Sequence, residues 1–289
     1  MKMAEYSELT ETEIARAFVA AFRRTQIKIA LAAATAYGLL IYLIFYSGLV
    51  TGVKIAAVAV FVIFGTIAWR AFSLKESTHH TMKLAAILQE DINPRKYLNV
   101  LNELERIYPS GWGRKFLWTE QGKAYYYLPD VKEAYAVLSK IDLGKRPQSD
   151  RVPVYAMLVL CSFKCGRDKE KELRVYLNLL ASVRQEAKPN SDTYKLVDDF
   201  LRSFDIHKKS VSEWTEEDKA FLLRCIAAEK SRLPIVANHY HLARYEFEHK
   251  NEKAAGEHLE VVLKCEHPNV FLSQGKALQE KMAEAGKQQ

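Results

Sequence analysis

Cysteine is scarce. Cys161, Cys165, Cys225 and Cys265 are the four in 289 residues, a density that excludes a small disulfide-stapled scaffold. Cys161 and Cys165 stand one helical turn apart, but a structural zinc site needs a second close pair, and Cys225 and Cys265 stand alone. All four read as reduced thiols inside helical cores. Strand signals are missing as well: there is no sustained polar/apolar alternation, and neither Asn-Gly nor Asp-Gly occurs. The Gly-x-x-x-x-Gly-Lys-Ser/Thr phosphate loop, His-Glu-x-x-His and Gly-x-Ser-x-Gly are absent too. Gly48 to Lys54 has the wrong spacing for the first of these. No catalytic site, cofactor or metal is therefore expected.

Concentrated charge of one sign is also lacking. The net charge is +7, but residues 1–83 hold nine basic and five acidic residues, and residues 84–289 hold 33 basic and 30 acidic. The second stretch is nearly balanced and shows no basic stripe with interleaved aromatics, so nucleic acid is excluded as the expected partner.

What the chain does have is one apolar block. Ile29 to Val50 is 22 residues without a formal charge, and about 20 such residues cross a hydrocarbon core as a helix. Ile55 to Trp69 adds 15 more between Lys54 and Arg70, reaching spanning length if Leu49 to Val53 are included and Lys54 snorkels to the interface. Ser47, Gly48, Thr51 and Gly52 then form the turn of a transmembrane helical hairpin, near 48–52. Tyr42, Tyr46 and Trp69 fall where aromatic belts lie. Arg16, Arg23, Arg24 and Lys28 precede the first span and Arg70, Lys75 and Lys83 follow the second, against Lys54 alone in the turn. The positive-inside rule places both termini in the cytoplasm of a two-pass protein, and reduced thiols with no organelle address suit a bacterial inner membrane.

Residues 1–28 are expected to form a cytoplasmic amphipathic helix. Thr10 and Glu13 have capping-box spacing, and Ile14, Phe18, Ala21 and Phe22 make an apolar stripe. Two readings fit: a lipid-binding interfacial helix, or an extension of the first span. Ala30, Ala34 and Gly38 give that span a small-residue face, suited to its hairpin partner or to an oligomer. Nothing charged lies within Ile29–Val50 or Ile55–Trp69, which argues against transport.

The remaining 73–289 form a soluble domain with apolar residues at helical spacing and prolines between the periodic stretches. Helices are expected over 78–90, 94–108, 114–127, 130–141, 151–165, 168–186, 191–206, 215–231, 234–249, 252–265 and 269–285. The fold class is all-α, an N-terminal transmembrane hairpin followed by an α-solenoid. Two Glu-x-x-His pairs, Glu76/His79 and Glu246/His249, have the spacing used in di-iron bundles, without nameable supporting glutamates. His239, His241, His249 and His258 point in different helical directions and read mostly as surface residues.

Trp118, Gly122, Tyr125, Ala134, Leu138 and Pro147 are separated by 4, 3, 9, 4 and 9 residues, and His239, Leu242, Ala243, Ala255, Leu259 and Pro268 fall at equivalent positions 121 residues later. Tyr155, Leu158 and Gly166 mark a third unit between them. This pattern resembles the tetratricopeptide repeat family. The resemblance implies stacked antiparallel helix pairs, in which Gly122 and Ala134 allow close approach while Trp118, Tyr125 and Leu138 fill the wedge. It also implies a concave groove lined by Lys123, Tyr126 and Tyr127 in the first unit and by Tyr240, Arg244 and Phe247 in the last. There aromatics and a cation could hold a peptide; the same residues could instead cover the next helix pair. The function expected is a membrane-anchored protein-interaction scaffold without catalysis, its protein partner unspecified. A structural subunit of a membrane complex and a metal-dependent helical enzyme are the alternatives.

Overall fold

A computed structural model describes residues 9–46, 51–107, 111–144 and 147–285. The described residues are helical, with no strand among them, and they divide into two compact units. One holds the chain up to Ala86, with Arg106 and Ile107; the other holds 87–105 and the chain beyond 109.

The first unit consists of α1 (Glu11–Tyr46) and most of α2 (Thr51–Gln89). The Thr10–Glu13 capping box is formed: the Thr10 amide donates to Glu13 Oε2 at 2.8 Å, and the Glu13 amide donates to Thr10 Oγ1 at 3.4 Å. From that cap a single helix of 36 residues runs on, so the amphipathic segment is the start of the apolar helix. It is long and apolar enough to cross a membrane. The expected turn lies partly outside the described residues, at 47–50, while Thr51 and Gly52 belong to α2 rather than to the turn. The second correction is that α2 does not stop near 72. No glycine or proline lies between Gly65 and Pro94 to interrupt it, and helix 78–90 is its continuation. The two helices run antiparallel where they touch: the Tyr37 hydroxyl donates to the Val62 carbonyl at 3.4 Å, and Thr25 Oγ1 meets His80 Nε2 at 3.1 Å. A Cβ at Gly65 would overlap the Tyr37 ring. His80 also packs edge-on against Phe18 and Phe22.

The second unit is a run of helix pairs. It comprises α3 (Pro94–Ile107), α4 (Gly111–Tyr127), α5 (Val131–Leu138), α6 (Gln148–Cys165), α7 (Glu170–Glu186), α8 (Asp192–Lys208), α9 (Glu216–Ala228), α10 (Arg232–Glu248), α11 (Glu252–Leu263) and α12 (Val270–Ala285). The most extensive contacts join α4 to α5, α6 to α7 and α10 to α11, the three pairs that carry the spaced residues. Asp130 caps α5 through the Glu133 amide and Asn251 caps α11 through the Ala254 amide, again 121 residues apart. Gly166, at φ 71°, ends α6 in the left-handed region that glycine tolerates. The prolines are not all between elements: Pro153 lies inside α6, which begins three residues earlier than its spacing predicts, and Pro234 sits in the first turn of α10.

Close packing explains the small residues. Ala134 and Leu138 are fully buried, and a Cβ at Gly122 would collide with Leu138. Trp118 and Tyr125 pack against the cluster built on Leu138, Val154, Leu158 and Leu180. A second cluster joins Ile206, Trp214, Leu222, Leu242 and Tyr245. Gly122→Ala gains helix propensity but forces Leu138 off its position. We predict a net loss of about 1–3 kcal/mol in thermal or chemical unfolding. In the double variant with Leu138→Ala the two effects are non-additive by more than about 0.5 kcal/mol, because the truncated side chain vacates the space the new methyl needs.

Candidate functional site

Alternate helices of the second unit turn one face toward a common interior. Contacts join α4 to α6, α6 to α8 and α10 to α12; α12 returns to α4; and His207 of α8 lies 3.9 Å, ring to ring, from His241 of α10. A chain of rings follows this circuit. Tyr126 and Tyr127 stand edge to face at 5.4 Å, Tyr127 meets Phe271 at 6.0 Å, and Phe271 meets Tyr240 at 6.1 Å and His241 at 6.4 Å. His207 and His241 both lie against Trp214, at 5.8 and 6.1 Å. Arg244 sits 5.8 Å over both Trp214 and Tyr240, and Lys164 Nζ lies 4.1 Å over Tyr126.

Local chemistry aims each of these side chains. On α8, Phe200, Phe204 and His207 follow at steps of four and three, the helical stripe spacing. On α10, His241 and Arg244 are one turn apart. Trp214 lies between two capping boxes. Ser210 and Glu213 close the first, with the Ser210 amide donating to Glu213 at 2.8 Å, and Thr215 and Asp218 close the second, at 3.1 and 3.3 Å. These fix the backbone on both sides and turn the indole inward, where it is 3% exposed.

The interior is polar without being paired. His207 Nδ1 meets Ser203 Oγ at 3.3 Å, but His207 Nε2, Trp214 Nε1 and His241 Nδ1 are buried with no hydrogen-bond partner among the described residues. Neither Arg244 nor Lys164 forms an ion pair with a described carboxylate. Burial, reinforced by Arg244, pushes His207 from an ordinary 6.5 down to about 4. Burial, His207, Arg244 and Lys164 together hold His241 well below the usual histidine range. Both imidazoles are neutral at pH 7.

The predicted groove residues meet different fates. Tyr126 is 8% exposed, beneath Lys164, and Tyr127 and Tyr240 lie against Phe271. Of the two readings of that face, groove lining or cover for a neighbouring helix, the contacts at Tyr127 and Tyr240 are of the second kind: α12 brings an aromatic ring against them, where burial is more favourable than wetting. Lys123 is drawn to Glu120 at 2.6 Å, whose other carboxylate oxygen accepts the Tyr97 hydroxyl at 2.9 Å. Arg244 faces the interior, and Phe247 is half-buried outside the ring circuit. His241 is not a surface residue, contrary to the reading from spacing. His239 and His258 pair Nδ1 to Nδ1 at 2.9 Å across α10 and α11. Glu246 is held by Lys219 and Asn251, both at 2.8 Å, and His249 by the Tyr245 carbonyl at 2.9 Å, so that Glu-x-x-His pair is engaged internally. The side chains of Glu76 and His79 lie outside the described residues. Among the described residues no three His, Cys, Asp or Glu side chains are grouped to hold a metal.

Sequence reasoning missed His207, Trp214, Lys164 and Phe271. The usable signal was the tandem Ser-x-x-Glu and Thr-x-x-Asp boxes around one tryptophan. No family model matches the chain, and neither a curated protein nor a solved structure is significantly similar to it.

The interior histidines His207 and His241 set a pH dependence, to which the half-buried pair His239 and His258, also lowered by burial, adds. The unfolded chain takes up protons near 6.5, while folded His207 does so only near 4. The stability of the helix-pair unit is therefore complete above about pH 6.5 and falls progressively as pH drops toward 4, by up to about 3 kcal/mol for His207. Melting followed by circular dichroism between pH 7.5 and 4 should show this loss. His207→Gln should flatten it; an equal slope in the variant would assign the acid sensitivity elsewhere.

Proposed function

We propose that this is a two-pass membrane protein that presents a TPR-like domain of helix pairs on the cytoplasmic side as a non-catalytic binding scaffold for another protein. The observation that carries the reading is the surface of the first unit. Leu31, Phe45, Ile55 and Phe64 are 63%, 72%, 66% and 68% exposed although the two helices touch. A water-soluble protein does not leave so large an apolar surface uncovered, whereas hydrocarbon covers it without penalty. The Tyr37–Val62 hydrogen bond and the tight fit at Gly65 support a hairpin rather than two independent helices. The basic flanks support cytoplasmic termini, and the bacterial inner membrane is the compartment that fits them. Ala30, Ala34 and Gly38 remain available for an oligomer; a Cβ at Gly38 would meet nothing within 4 Å.

The scaffold reading keeps Lys123 and Phe247 as the partner-facing candidates, while Arg244 is turned to the interior. Tyr126 and Tyr127 serve the domain's own packing. Anchoring raises the effective concentration of whatever is bound.

Single-cysteine labelling from either side of the membrane, at positions 5, 48 and 287, tests the topology in a background with the native cysteines replaced by serine. Positions 5 and 287 should react from the cytoplasmic side and 48 from the opposite side; protection of none or equal access for all three would remove the two-pass reading. Pull-down from detergent-solubilised host membranes then compares the full chain with Lys123→Ala/Phe247→Ala. Retention of one protein by the first and its loss from the second is the expected result. Identical captures would take the partner away from this face.

A further inference from the structure

The interior of the second unit holds an imbalance that the scaffold reading does not use. Three buried polar nitrogens in one cluster of rings, Trp214 Nε1, His207 Nε2 and His241 Nδ1, lack hydrogen-bond partners among the described residues. Leaving such a group dry and unpaired is costly, and native proteins carry few of them. They therefore mark a place where something else completes the structure. Its chemistry follows from the donors. The indole N–H only donates. His207 can present Nε2–H when its Nδ1 accepts from the Ser203 hydroxyl, consistent with their 3.3 Å separation. Arg244 bears on both histidines and Lys164 on His241, and neither cation has a described carboxylate against it. Donors and uncompensated positive charge together call for an acceptor carrying negative charge. The walls are aromatic, supplied by Tyr240, Phe271 and Trp214 itself, so the group that bears the charge is best attached to a flat apolar body. Access is not closed off: His207, Tyr240, His241 and Arg244 are half-buried and Lys164 is exposed.

We propose that the Trp214–His207–His241 cluster, with Arg244 and Lys164 at its margin, is a binding site for a small aromatic oxyanion, a carboxylate or phosphoryl group on a flat ring. Arg244 and Lys164 neutralise the charge, the indole N–H and imidazole N–H groups orient the oxygens, and Phe271 and Tyr240 cover the ring. Because α12 contributes Phe271 while α8 and α10 contribute the histidines, a bound ligand ties the last helix to the middle of the domain.

The test is isothermal titration calorimetry of the full chain in uncharged detergent at pH 7.5. The probes are benzoate, phenyl phosphate and inorganic phosphate, with potassium chloride as the ionic-strength control. Saturable binding of benzoate or phenyl phosphate is expected, and which of the two binds separates a carboxylate site from a phosphoryl site. Arg244→Gln should weaken it by about tenfold or more and Lys164→Gln by several-fold. Lys164 is exposed, so its variant decides the matter if Arg244→Gln fails to fold. A second readout is the pair of His207 and His241 imidazole resonances, which should shift on saturation while those of His239 and His258 stay in place. No saturable heat with any probe overturns the proposal, as does equal affinity in both variants. Inorganic phosphate binding as tightly as phenyl phosphate overturns the aromatic part of it.

Discussion

No helix of the second unit can bury its own apolar stripe, and that constraint shapes everything the unit does. A stripe left in water forfeits the burial free energy of each Leu, Val or Tyr on it, about 1.5–3 kcal/mol per large side chain. Each helix must therefore be covered by its neighbours, and pairing solves half of the problem. Gly122 lets α4 and α5 approach until Leu138 fills the space a methyl would take. The stripe on the other side of α4, α6, α8 and α10 then needs a further cover. Stacking supplies it between successive pairs, and α12 supplies it at the end of the run by setting Phe271 against Tyr127, Tyr240 and His241.

Closing the circuit has a chemical cost. The residues drawn inward are not purely apolar: histidines, an indole N–H and an arginine go with the rings. Two imbalances among the described residues follow, nitrogens without partners and cations without counter-charges, and both lie in one place. The imidazoles respond by staying neutral, as desolvation beside positive charge requires. Elsewhere among the described residues the unpartnered buried atoms, Arg151 Nε, Ser162 Oγ and Arg184 Nε, belong to no such ring cluster, and the buried carboxylates are engaged. Glu120 accepts from Tyr97 and Lys123, and Glu246 from Lys219 and Asn251. This contrast gives the interior cluster its meaning, because the same fold satisfies its buried carboxylates completely.

The first unit obeys a different constraint. Its helices touch through a tyrosine hydroxyl, a glycine and a threonine–histidine contact, while their large apolar side chains face outward. Packing of that kind makes sense where the surroundings are as apolar as the side chains and close backbone approach carries the association. Its second helix, α2, continues unbroken past the apolar region because no glycine or proline between Gly65 and Pro94 interrupts it.

Local rules decided a large part of this architecture before any tertiary contact. Periodicity and the placement of Thr10, Asp130, Ser191, Thr215 and Asn251 determined that the chain is helical and where most helices begin, since a cap and a stripe depend on neighbours within four residues. The uncharged run from Ile29 likewise determined one helix able to cross a membrane. Spacing also selected Tyr127, Tyr240 and Arg244 as members of one face. It could not reveal that Phe271, thirty-one residues past Tyr240, would lie on that face, or that His207, Trp214 and Lys164 would join it. Those residues meet through the stacking of separate helix pairs, and the angle between pairs depends on side-chain volumes on both partners, which no single stretch of sequence contains.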